Sequence, residues 1–405
     1  MTEAIKVSWS TTATESGLAR QRAWVEVDTA AITANARSLK RRIGASTSLM
    51  AVVKADGYGH GSVPVARAAL VGGASQCGVA TLAEGIELRR AGIEAPILIM
   101  GSLTQVEELR SCMHWQLMPT ISAMREALLC QQLASGQGRS MALQLKLDTG
   151  MARLGVDWQE GTQLAGAIKQ LDAVELAGIY SHLASADNHP NEDDGLTQQQ
   201  QQRFDTVLRA LHDQGINPGS RHLANSAGTL RSAGLHYDLV RVGLALYGHS
   251  PAPHLTGSTP LAAAMTLHAR VSLIREVGAG VGVSYGHRFR TSRPSRLAVL
   301  GIGYADGVPR QLSNQLEVLY GGQRIPQVGA ITMDQLMLDA TDCPGLEVGS
   351  VVTLLGEDGD QEISPSDWSD RCQTIPWEIL CGFKHRLPRL TPAQAAWESP
   401  SDWAH

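Results

Sequence analysis

The stretch Leu49-Met-Ala-Val-Val-Lys-Ala-Asp-Gly-Tyr-Gly-His-Gly61 decides between two folds for this chain. Its first five residues, Leu49–Val53, form a short apolar run, which is typical of a strand buried on both faces of a parallel sheet. An open doubly wound sheet would favour a glycine-rich turn directly after its first strand. Here the run leads into Lys54-Ala55-Asp56-Gly57 instead. The stretch therefore favours a barrel over an open sheet.

Seven similar apolar runs follow, most of them separated by segments with the periodicity of amphipathic helices. Eight strands that alternate with helices predict a (β/α)8 barrel of the TIM type, a fold of about 250 residues. We assign the barrel to residues 23–261. The predicted strands are Leu49–Val53, Gly78–Thr81, Ile97–Met100, Leu117–Ile121, Ala142–Leu147, Leu176–Ser181, His222–Ala224 and Leu239–Val242. The glutamine run at residues 198–202 is interpreted as a solvated loop that enters a helix.

From residue 262 onward the pattern changes to β-rich runs punctuated by glycine and proline, which predicts an all-β domain at residues 262–390. The cluster Gly278-x-Gly280-x-Gly282 does not satisfy the dinucleotide-binding pattern and precedes no helix, so we interpret it as turns between strands. Residues 1–22 are interpreted as an N-terminal extension that need not be ordered, and residues 391–405 as a C-terminal tail. The predicted strands are Met265–Val277, Arg296–Ile302, Leu316–Tyr320, Arg324–Ile331, Gln335–Asp339 and Ser350–Leu355.

Composition excludes several classes of protein. The chain has 34 basic and 39 acidic residues, a net charge of −5, which is unlike the strongly basic surface of a general nucleic-acid binder. No apolar run reaches the ~18–20 residues of a membrane helix, and the N-terminus lacks the apolar stretch of a secretory signal. The six cysteines are irregularly spaced, which favours reduced thiols in the cytoplasm over disulfides or a metal site.

In such a barrel the active site lies at the C-terminal strand ends. The residues there are mainly cations, hydroxyls and imidazoles, which suit an anionic ligand that bears a phosphate. A lysine buried at a strand end indicates Schiff-base chemistry, although an ion-pair partner or substrate clamp is the commoner role, and the residues alone leave both open. The candidates are Lys54, Tyr58, His60, Lys146, Asp148, Arg153, His182, Asp187, Asn225, Ser226, Arg241, Gly243 and Leu244.

Several segments resemble, in the same order, the motifs of bacterial alanine racemases. The resemblance extends over about residues 23–390. It implies a (β/α)8 barrel followed by a C-terminal β domain, an isomerase that depends on pyridoxal phosphate, and alanine as the substrate. The matching segments are residues 51–61, 146–155, 181–187, 224–228, 240–243, 283–286, 301–307, 333–335 and 378–382.

The resemblance assigns residues to the cofactor. Lys54 would hold pyridoxal phosphate covalently. Arg241 would face the pyridine nitrogen and would be oriented by His182. The groups that would hold the phosphate or lie beside it are Tyr58, Asn225, Ser226, Trp377 and the amides of Gly243 and Leu244.

The resemblance also assigns residues to the substrate. Arg153 would bind the phenolic oxygen of the cofactor and lie near the substrate carboxylate. Lys146 matches a lysine that is often carbamylated and then positions this arginine. Tyr285, Tyr304, Met333 and Asp334 would come from the partner subunit of a head-to-tail homodimer.

Racemisation needs a proton removed from one face of Cα and delivered to the other, which two opposed bases accomplish directly. By resemblance these bases are Lys54 for the D-enantiomer and Tyr285 of the other chain for the L-enantiomer. The product D-alanine would supply peptidoglycan synthesis. No metal is implied, and the expected partners are alanine and a second copy of the chain, with no nucleic acid or membrane.

Three positions depart from the family pattern. Thr332 stands where a cysteine is usual, Ala330 where an arginine is frequent, and Trp377 where a tyrosine is common. These departures leave open a related racemase of broader or shifted specificity, for example for serine. A decarboxylase of this architecture generally has a carboxylate at the ring nitrogen, against which Arg241 argues. A non-catalytic carrier of the cofactor would lack the β domain.

Overall fold

The computed structural model describes residues 22–189, 191 and 195–395. Two compact units divide the chain: one runs from Thr29 to Ala264, and the other joins the segment that ends at Asp28 to the residues from Met265 onward. The predicted N-terminal extension, except for Arg22, and residues 396–405 of the predicted tail lie outside the described residues. Within those residues, no helix is both long enough and apolar enough to cross a membrane.

The first strand, β1 (Ala23–Val27), does not belong to the barrel, although the sequence assigned it there. It pairs antiparallel with a strand of the second unit, with Ala23 opposite Ala269 and Val27 opposite Met265. An apolar run followed by a helix resembles the start of a βα unit of the barrel. Only its distant pairing partner shows that this strand belongs to the second unit instead. The barrel unit therefore begins at Thr29.

All eight predicted barrel strands are present, and they form one parallel sheet in the order β10-β2-β3-β4-β5-β6-β8-β9. Two backbone hydrogen bonds of 3.0 Å join its ends, from Asp238 N to Arg221 O and from Arg241 N to Ala224 O. The strands are β2 (Ser48–Val52), β3 (Gln76–Val79), β4 (Ile97–Ser102), β5 (Met118–Ile121), β6 (Met141–Asp148), β7 (Val156–Asp157, beside β6), β8 (Val174–Tyr180), β9 (Ser220–His222) and β10 (Leu239–Val242).

Helices connect the strands and cover the barrel. Inside it, Met50, Leu98, Tyr180 and Leu239 from four different strands pack into one buried cluster. Such layers fill the interior of a barrel of this size, so the space for a ligand lies at the strand ends. The helices are α1 (Thr29–Ile43), α2 (Ser62–Val71), α3 (Leu82–Arg90), α4 (Val106–His114), α5 (Met124–Ser135), α6 (Trp158–Lys169), α7 (Leu196–Asp213) and α8 (Ser226–Arg231).

The glutamine run lies within α7 and is not the solvated loop that the sequence predicted. Gln200 is fully buried. Its amide donates to His182 O at 2.9 Å and accepts from Ala184 N at 2.8 Å. The run is therefore amphipathic, and one of its members supports the loop after β8.

The second unit is a mainly antiparallel β structure in which the pairing of β18 with β11 closes six strands into a ring, and β20 pairs parallel with β1. A turn at residues 278–281 follows β11, as predicted. The strands are β11 (Met265–Val277), β12 (Gly282–Val283), β13 (Phe289–Arg290), β14 (Ser295–Leu300), β15 (Glu317–Tyr320), β16 (Gln323–Val328), β17 (Leu336–Asp339), β18 (Val351–Asp358), β19 (Gln361–Ile363) and β20 (Arg389–Leu390).

Short helices follow β19 in this unit: α9 (Pro365–Cys372), α10 (Pro376–Gly382) and α11 (Pro392–Ala395). The start of α9 has a local signal, because Ser364 and Asp367 form a capping box and a proline occupies the first turn. The β-rich pattern of residues 262–390 predicted an all-β domain, so these helices were not expected.

Candidate active site

Lys54 begins a left-handed turn at the end of β2. Ala55, Asp56, Gly57 and Tyr58 have φ values of 53°, 51°, 59° and 52°. For residues other than glycine this conformation costs about 1–2 kcal/mol each. Strain of this kind persists where surrounding contacts impose it, and it is concentrated at functional sites.

Hydrogen bonds to backbone and carboxylate oxygens hold this turn. Gly57 N donates to Val53 O at 2.9 Å, and Ser62 N donates to the Asp56 carboxylate at 3.0 Å. Ala55 N donates to the carboxylate of Glu84 at 2.7 Å. The same carboxylate accepts from the N–H groups of residues 80 and 81 at the start of α3. Glu84 therefore connects the Lys54 turn to the next βα loop, a role that the sequence analysis did not assign.

A cluster of amides and hydroxyls lies where β10 ends. The Ser226 hydroxyl accepts from Gly243 N at 3.0 Å and from Ala245 N at 3.3 Å. A Cβ on residue 243 would collide with the hydroxyl of Tyr58, so only glycine leaves this space open. The structure thus brings Ser226, Gly243 and Tyr58 together as predicted, and Ala245 supplies an amide that the sequence reading had not singled out. Such a group suits a phosphate.

Asn225 supports this cluster from one side, since it caps α8 by accepting from Gly228 N at 2.9 Å. Leu244 is buried and begins the short 3-10 turn that follows Gly243. The backbone around the two predicted residues is therefore fixed by local hydrogen bonds.

Arg241 is buried on β10, with 2% of its surface exposed. Nη2 donates to the carbonyls of Ser181 and Leu223 at 2.7 and 3.1 Å. The same atom lies 3.1 Å from Nδ1 of His182, and Nη1 lies 3.0 Å from Nδ1 of His222. Burial lowers the pKa of Arg241 to about 10, which still leaves it charged at neutral pH. The predicted pairing of Arg241 with His182 is present, and His222 is a second imidazole partner that sequence reasoning missed.

Both imidazoles are neutral. Burial, reinforced by the positive charge of Arg241, holds the pKa of His182 and that of His222 well below their usual range. A neutral imidazole has one nitrogen without a proton, and this nitrogen can accept from the guanidinium. The Tyr180 ring stacks on His222 with a centroid distance of 4.8 Å.

Lys146 is also buried, at 6% exposure near the end of β6. Burial lowers its pKa to about 8, and the positive charges of Arg241, Arg153 and Lys54 act in the same direction. Its Nζ lies 5.4 Å from the centre of the Tyr180 ring. The strand ends of the barrel therefore carry a concentration of positive charge, which suits an anionic ligand.

Arg153 is exposed on the loop that follows β6. Asp148 shapes this loop by accepting from the N–H groups of residues 150, 151 and 152 at 2.9 to 3.2 Å. Partial burial of Asp148 favours its neutral form, but these backbone hydrogen bonds outweigh it and lower its pKa. The sequence noted Asp148 only as a strand-end residue, and the structure gives it a positioning role for the Arg153 loop.

The remaining predicted residues lie in the second unit, where all of them except Trp377 are exposed. Tyr285 is 72% exposed, Met333 52% and Tyr304 40%. Backbone hydrogen bonds of 3.0 Å from Tyr304 N to Thr332 O and from Ala305 N to Met333 O hold two loops together. The exposure of Tyr285, Tyr304 and Met333 places three large side chains at the surface of this unit.

Tyr285 follows a strained residue, Ser284, which has a φ of 59°. The Ser284 hydroxyl donates to Ala330 O at 2.8 Å, which connects the Tyr285 turn to the segment before Met333. Ala330 is fully buried. Thr332 forms reciprocal hydrogen bonds with Gln335 at 2.8 and 3.1 Å and thereby closes the Met333 turn.

Asp334, predicted to face the substrate, pairs with Arg386 at 2.6 Å. Arg386 also lies 3.5 Å from the buried carboxylate of Asp306, which Arg22 binds at 2.8 Å. These ion pairs connect the loop of Tyr304 to the turn of Asp334. Trp377 is half-buried in the first turn of α10.

No group of three or more His, Cys, Asp or Glu side chains in the described part of the chain is placed to hold a metal ion. The barrel end instead presents a lysine at a strained turn, an amide-lined glycine cleft and a buried guanidinium.

Comparison with known proteins agrees with this arrangement. Residues 27–251 match the family model of the alanine racemase N-terminal domain, and residues 264–391 match that of the alanine racemase C-terminal domain. The alanine racemase of Prochlorococcus marinus is 54% identical over 92% of this chain and 96% of its own length.

Solved structures match as well. The alanine racemase from D-cycloserine-producing Streptomyces lavendulae has a TM-score of 0.84 and is 37% identical, covering 95% of this chain and 99% of that one. The alanine racemase from Bartonella henselae with covalently bound pyridoxal phosphate has a TM-score of 0.80 and is 32% identical, covering 91% of this chain and 99% of that one.

Proposed function

The chain belongs to the alanine racemase family and is a pyridoxal-phosphate-dependent isomerase, and we propose that it interconverts L- and D-alanine with Lys54 and Tyr285 as its two bases. The observation that carries the assignment of residues is the barrel end itself. There Lys54 and the Ser226–Gly243 cluster follow strands of one parallel sheet, and Arg241 lies on β10 of the same sheet.

The residues present fit the cofactor. We assign the phosphate to the amides of Gly243 and Leu244 with the hydroxyls of Ser226 and Tyr58, because the missing Cβ of Gly243 leaves room there. We assign the aldehyde carbon to Lys54. When bound, pyridoxal phosphate withdraws electron density from the Cα of the attached amino acid and thereby acidifies its Cα–H.

We assign Arg241 to the pyridine nitrogen. A guanidinium that stays charged cannot readily give that nitrogen a proton, so it limits the electron withdrawal by the ring. This restraint favours return of the proton to Cα over side reactions. The support for this assignment is the burial of Arg241 and its contacts with Ser181 O, His182, His222 and Leu223 O, at the ends of β8 and β9.

Two residues on opposite faces of the substrate carry out the proton transfers. Nζ of Lys54 removes or returns the proton on the face of the D-enantiomer, and Oη of Tyr285 does so on the face of the L-enantiomer. Proton transfer by a positioned side chain contributes about 10²–10⁴-fold to the rate. Removal of either residue therefore abolishes useful racemisation.

We propose that Tyr285 acts in the partner's site of a head-to-tail homodimer. The support is the exposure of Tyr285, Tyr304 and Met333, three large side chains on adjoining loops of the second unit. Another chain that covered them would remove apolar surface from water, and this burial stabilises an interface by about 25 cal/mol per Å².

We further propose that Lys146 is carbamylated. A neutral amine attacks CO₂, forms an N–C bond and releases one proton, so a lysine with a lowered pKa is predisposed to this reaction. The resulting carboxylate would be an acceptor for Arg153, which would hold that guanidinium toward the cofactor and the substrate carboxylate. A ¹³C carbamate signal from labelled bicarbonate, absent in Lys146→Met, tests this assignment.

The cellular context is also a proposal. None of the six cysteines, all within the described residues, forms a disulfide, and this is consistent with a reducing cytoplasm. There the D-alanine product would serve peptidoglycan synthesis. The changes at Thr332, Ala330 and Trp377 are the reason to test serine beside alanine, because Ala330 and Thr332 lie close to Met333 in the chain and Trp377 is assigned to the phosphate.

Hybrid dimers test the shared site. Lys54→Ala and Tyr285→Ala are each expected to be inactive. Mixing the two variants under conditions of subunit exchange creates heterodimers in which one of the two sites is intact. In a random mixture half of the dimers are heterodimers, so about a quarter of wild-type activity is expected. Absence of recovery after exchange has been verified by native mass spectrometry would refute the shared site.

A further inference from the structure

The orientation of the Arg241 side chain depends on where the neighbouring imidazole of His222 carries its proton. A guanidinium carries donors only, so each of its contacts must be an acceptor. Two carbonyls satisfy this condition automatically. The Nδ1 atom of His222, 3.0 Å from Nη1, satisfies it only when Nδ1 has no proton.

His222 can place its single proton on either ring nitrogen, and its second neighbour decides which. Nε2 of His222 lies 2.7 Å from Oε1 of Gln144, and both side chains are buried. An amide oxygen accepts only, so Nε2 must be the nitrogen that carries the proton. Nδ1 is then left as the acceptor that Arg241 requires.

The Gln144 amide is itself fixed. Its nitrogen points toward the sulfur of Met118 at 4.0 Å, which leaves the oxygen for His222. Gly178 on β8 provides the space, because a Cβ there would lie 3.1 Å from Cδ of Gln144 and 2.8 Å from Ser220 O. A chain of contacts therefore runs from the middle of β6 to the guanidinium at the end of β10.

We propose that Gln144 is a positioning residue that holds His222 in the Nε2–H tautomer and thereby aims Arg241 at the cofactor. The inference rests on the proposed function, since it assigns to Arg241 the pyridine nitrogen. Gln144 touches neither substrate nor cofactor, and it acts through His222.

The first test is the tautomer of His222 in the wild-type protein. Two-bond ¹⁵N–¹H correlations distinguish the two tautomers, and His222→Gln identifies the signals by their loss. The inference expects a single Nε2–H form without cofactor and in the holoenzyme. An Nδ1–H form would overturn it, whatever the activity of the enzyme.

The second test is Gln144→Met, which keeps the volume and removes the acceptor. Loss of one buried hydrogen bond of this kind slows a reaction that depends on it about tenfold or more. We therefore expect kcat to fall about tenfold in Gln144→Met and KM to change less than twofold. His222 should show both tautomers in this variant. Gln131→Met is the matched control, because Gln131 accepts from Ala173 N at 2.7 Å elsewhere in the same unit.

The outcomes separate the two claims. If wild type racemises alanine and Gln144→Met retains one Nε2–H signal and the kinetics of the control, the inference is wrong and the proposed function stands. If holo wild type racemises no alanine, the proposed function is wrong, and the tautomer measurement is read independently.

Discussion

The carboxylate of Glu84 accepts a hydrogen bond of 2.7 Å from the backbone N–H of Ala55, the residue after Lys54. The same side chain caps α3, so one carboxylate holds a helix start and the strained turn that presents the lysine. Glu84→Ala should therefore cost about 1–2 kcal/mol of stability and also reduce the fraction of chains that carry the cofactor on Lys54.

Glu108→Ala is the control for this prediction, because Glu108 forms the equivalent cap on α4 and accepts from Thr104 N and Gln105 N. Both variants should melt earlier than wild type. Only Glu84→Ala should lose cofactor absorbance and kcat. Equal losses of cofactor in the two variants would show that the Ala55 contact has no special role.

Gly243→Ala tests the phosphate cluster. The added methyl group would meet the Tyr58 hydroxyl, so it should displace Tyr58 or close the space for the phosphate. We expect the dissociation constant for pyridoxal phosphate to rise at least tenfold, about 1.4 kcal/mol, as measured by titration of the apoenzyme. Gly345→Ala, where the added Cβ would meet open space, is the control. An unchanged constant in Gly243→Ala would remove Gly243 from the site.

The buried amine of Lys146 should make the folding stability depend on pH. Burial lowers its pKa in the folded state to about 8, below its usual 10.5. Between these values the unfolded chain holds a proton that the folded chain does not, so the stability contributed by this group rises with pH. Below pH 8 the charged, buried amine destabilises the fold, and this penalty disappears as the pH passes 10.5.

Lys146→Met should therefore be more stable than wild type at pH 7, by about 1–3 kcal/mol, and the difference should shrink toward pH 10. Urea unfolding in buffer free of CO₂ measures this, with Lys169→Met, at an exposed position on α6, as the control. A pH-independent difference between Lys146→Met and wild type would contradict the buried-amine assignment.

Much of the fold could be predicted because its signals are local. Parallel strands buried on both faces read as apolar runs, and runs such as Leu239–Val242 mark their strands directly. The β1 strand could not be placed this way, since AWVEV carries no mark of its partner more than two hundred residues away.

The site divides similarly. Some site residues could be predicted from the sequence because they lie in motifs or at strand ends, namely Lys54, Ser226 and Arg241. Gln144 and His222 could not, because they are polar residues inside buried strands. Their role exists only once the fold brings together two residues that are 78 positions apart in the chain.

The measurement that tests the account most directly is racemisation of L-alanine by the purified holoenzyme, followed by chiral chromatography, in wild type and in Lys54→Ala. The account predicts that wild type converts L-alanine to an equal mixture of enantiomers, and that Lys54→Ala forms no D-alanine and loses the covalent cofactor. Absence of D-alanine with wild type, or unchanged turnover in Lys54→Ala, would contradict it.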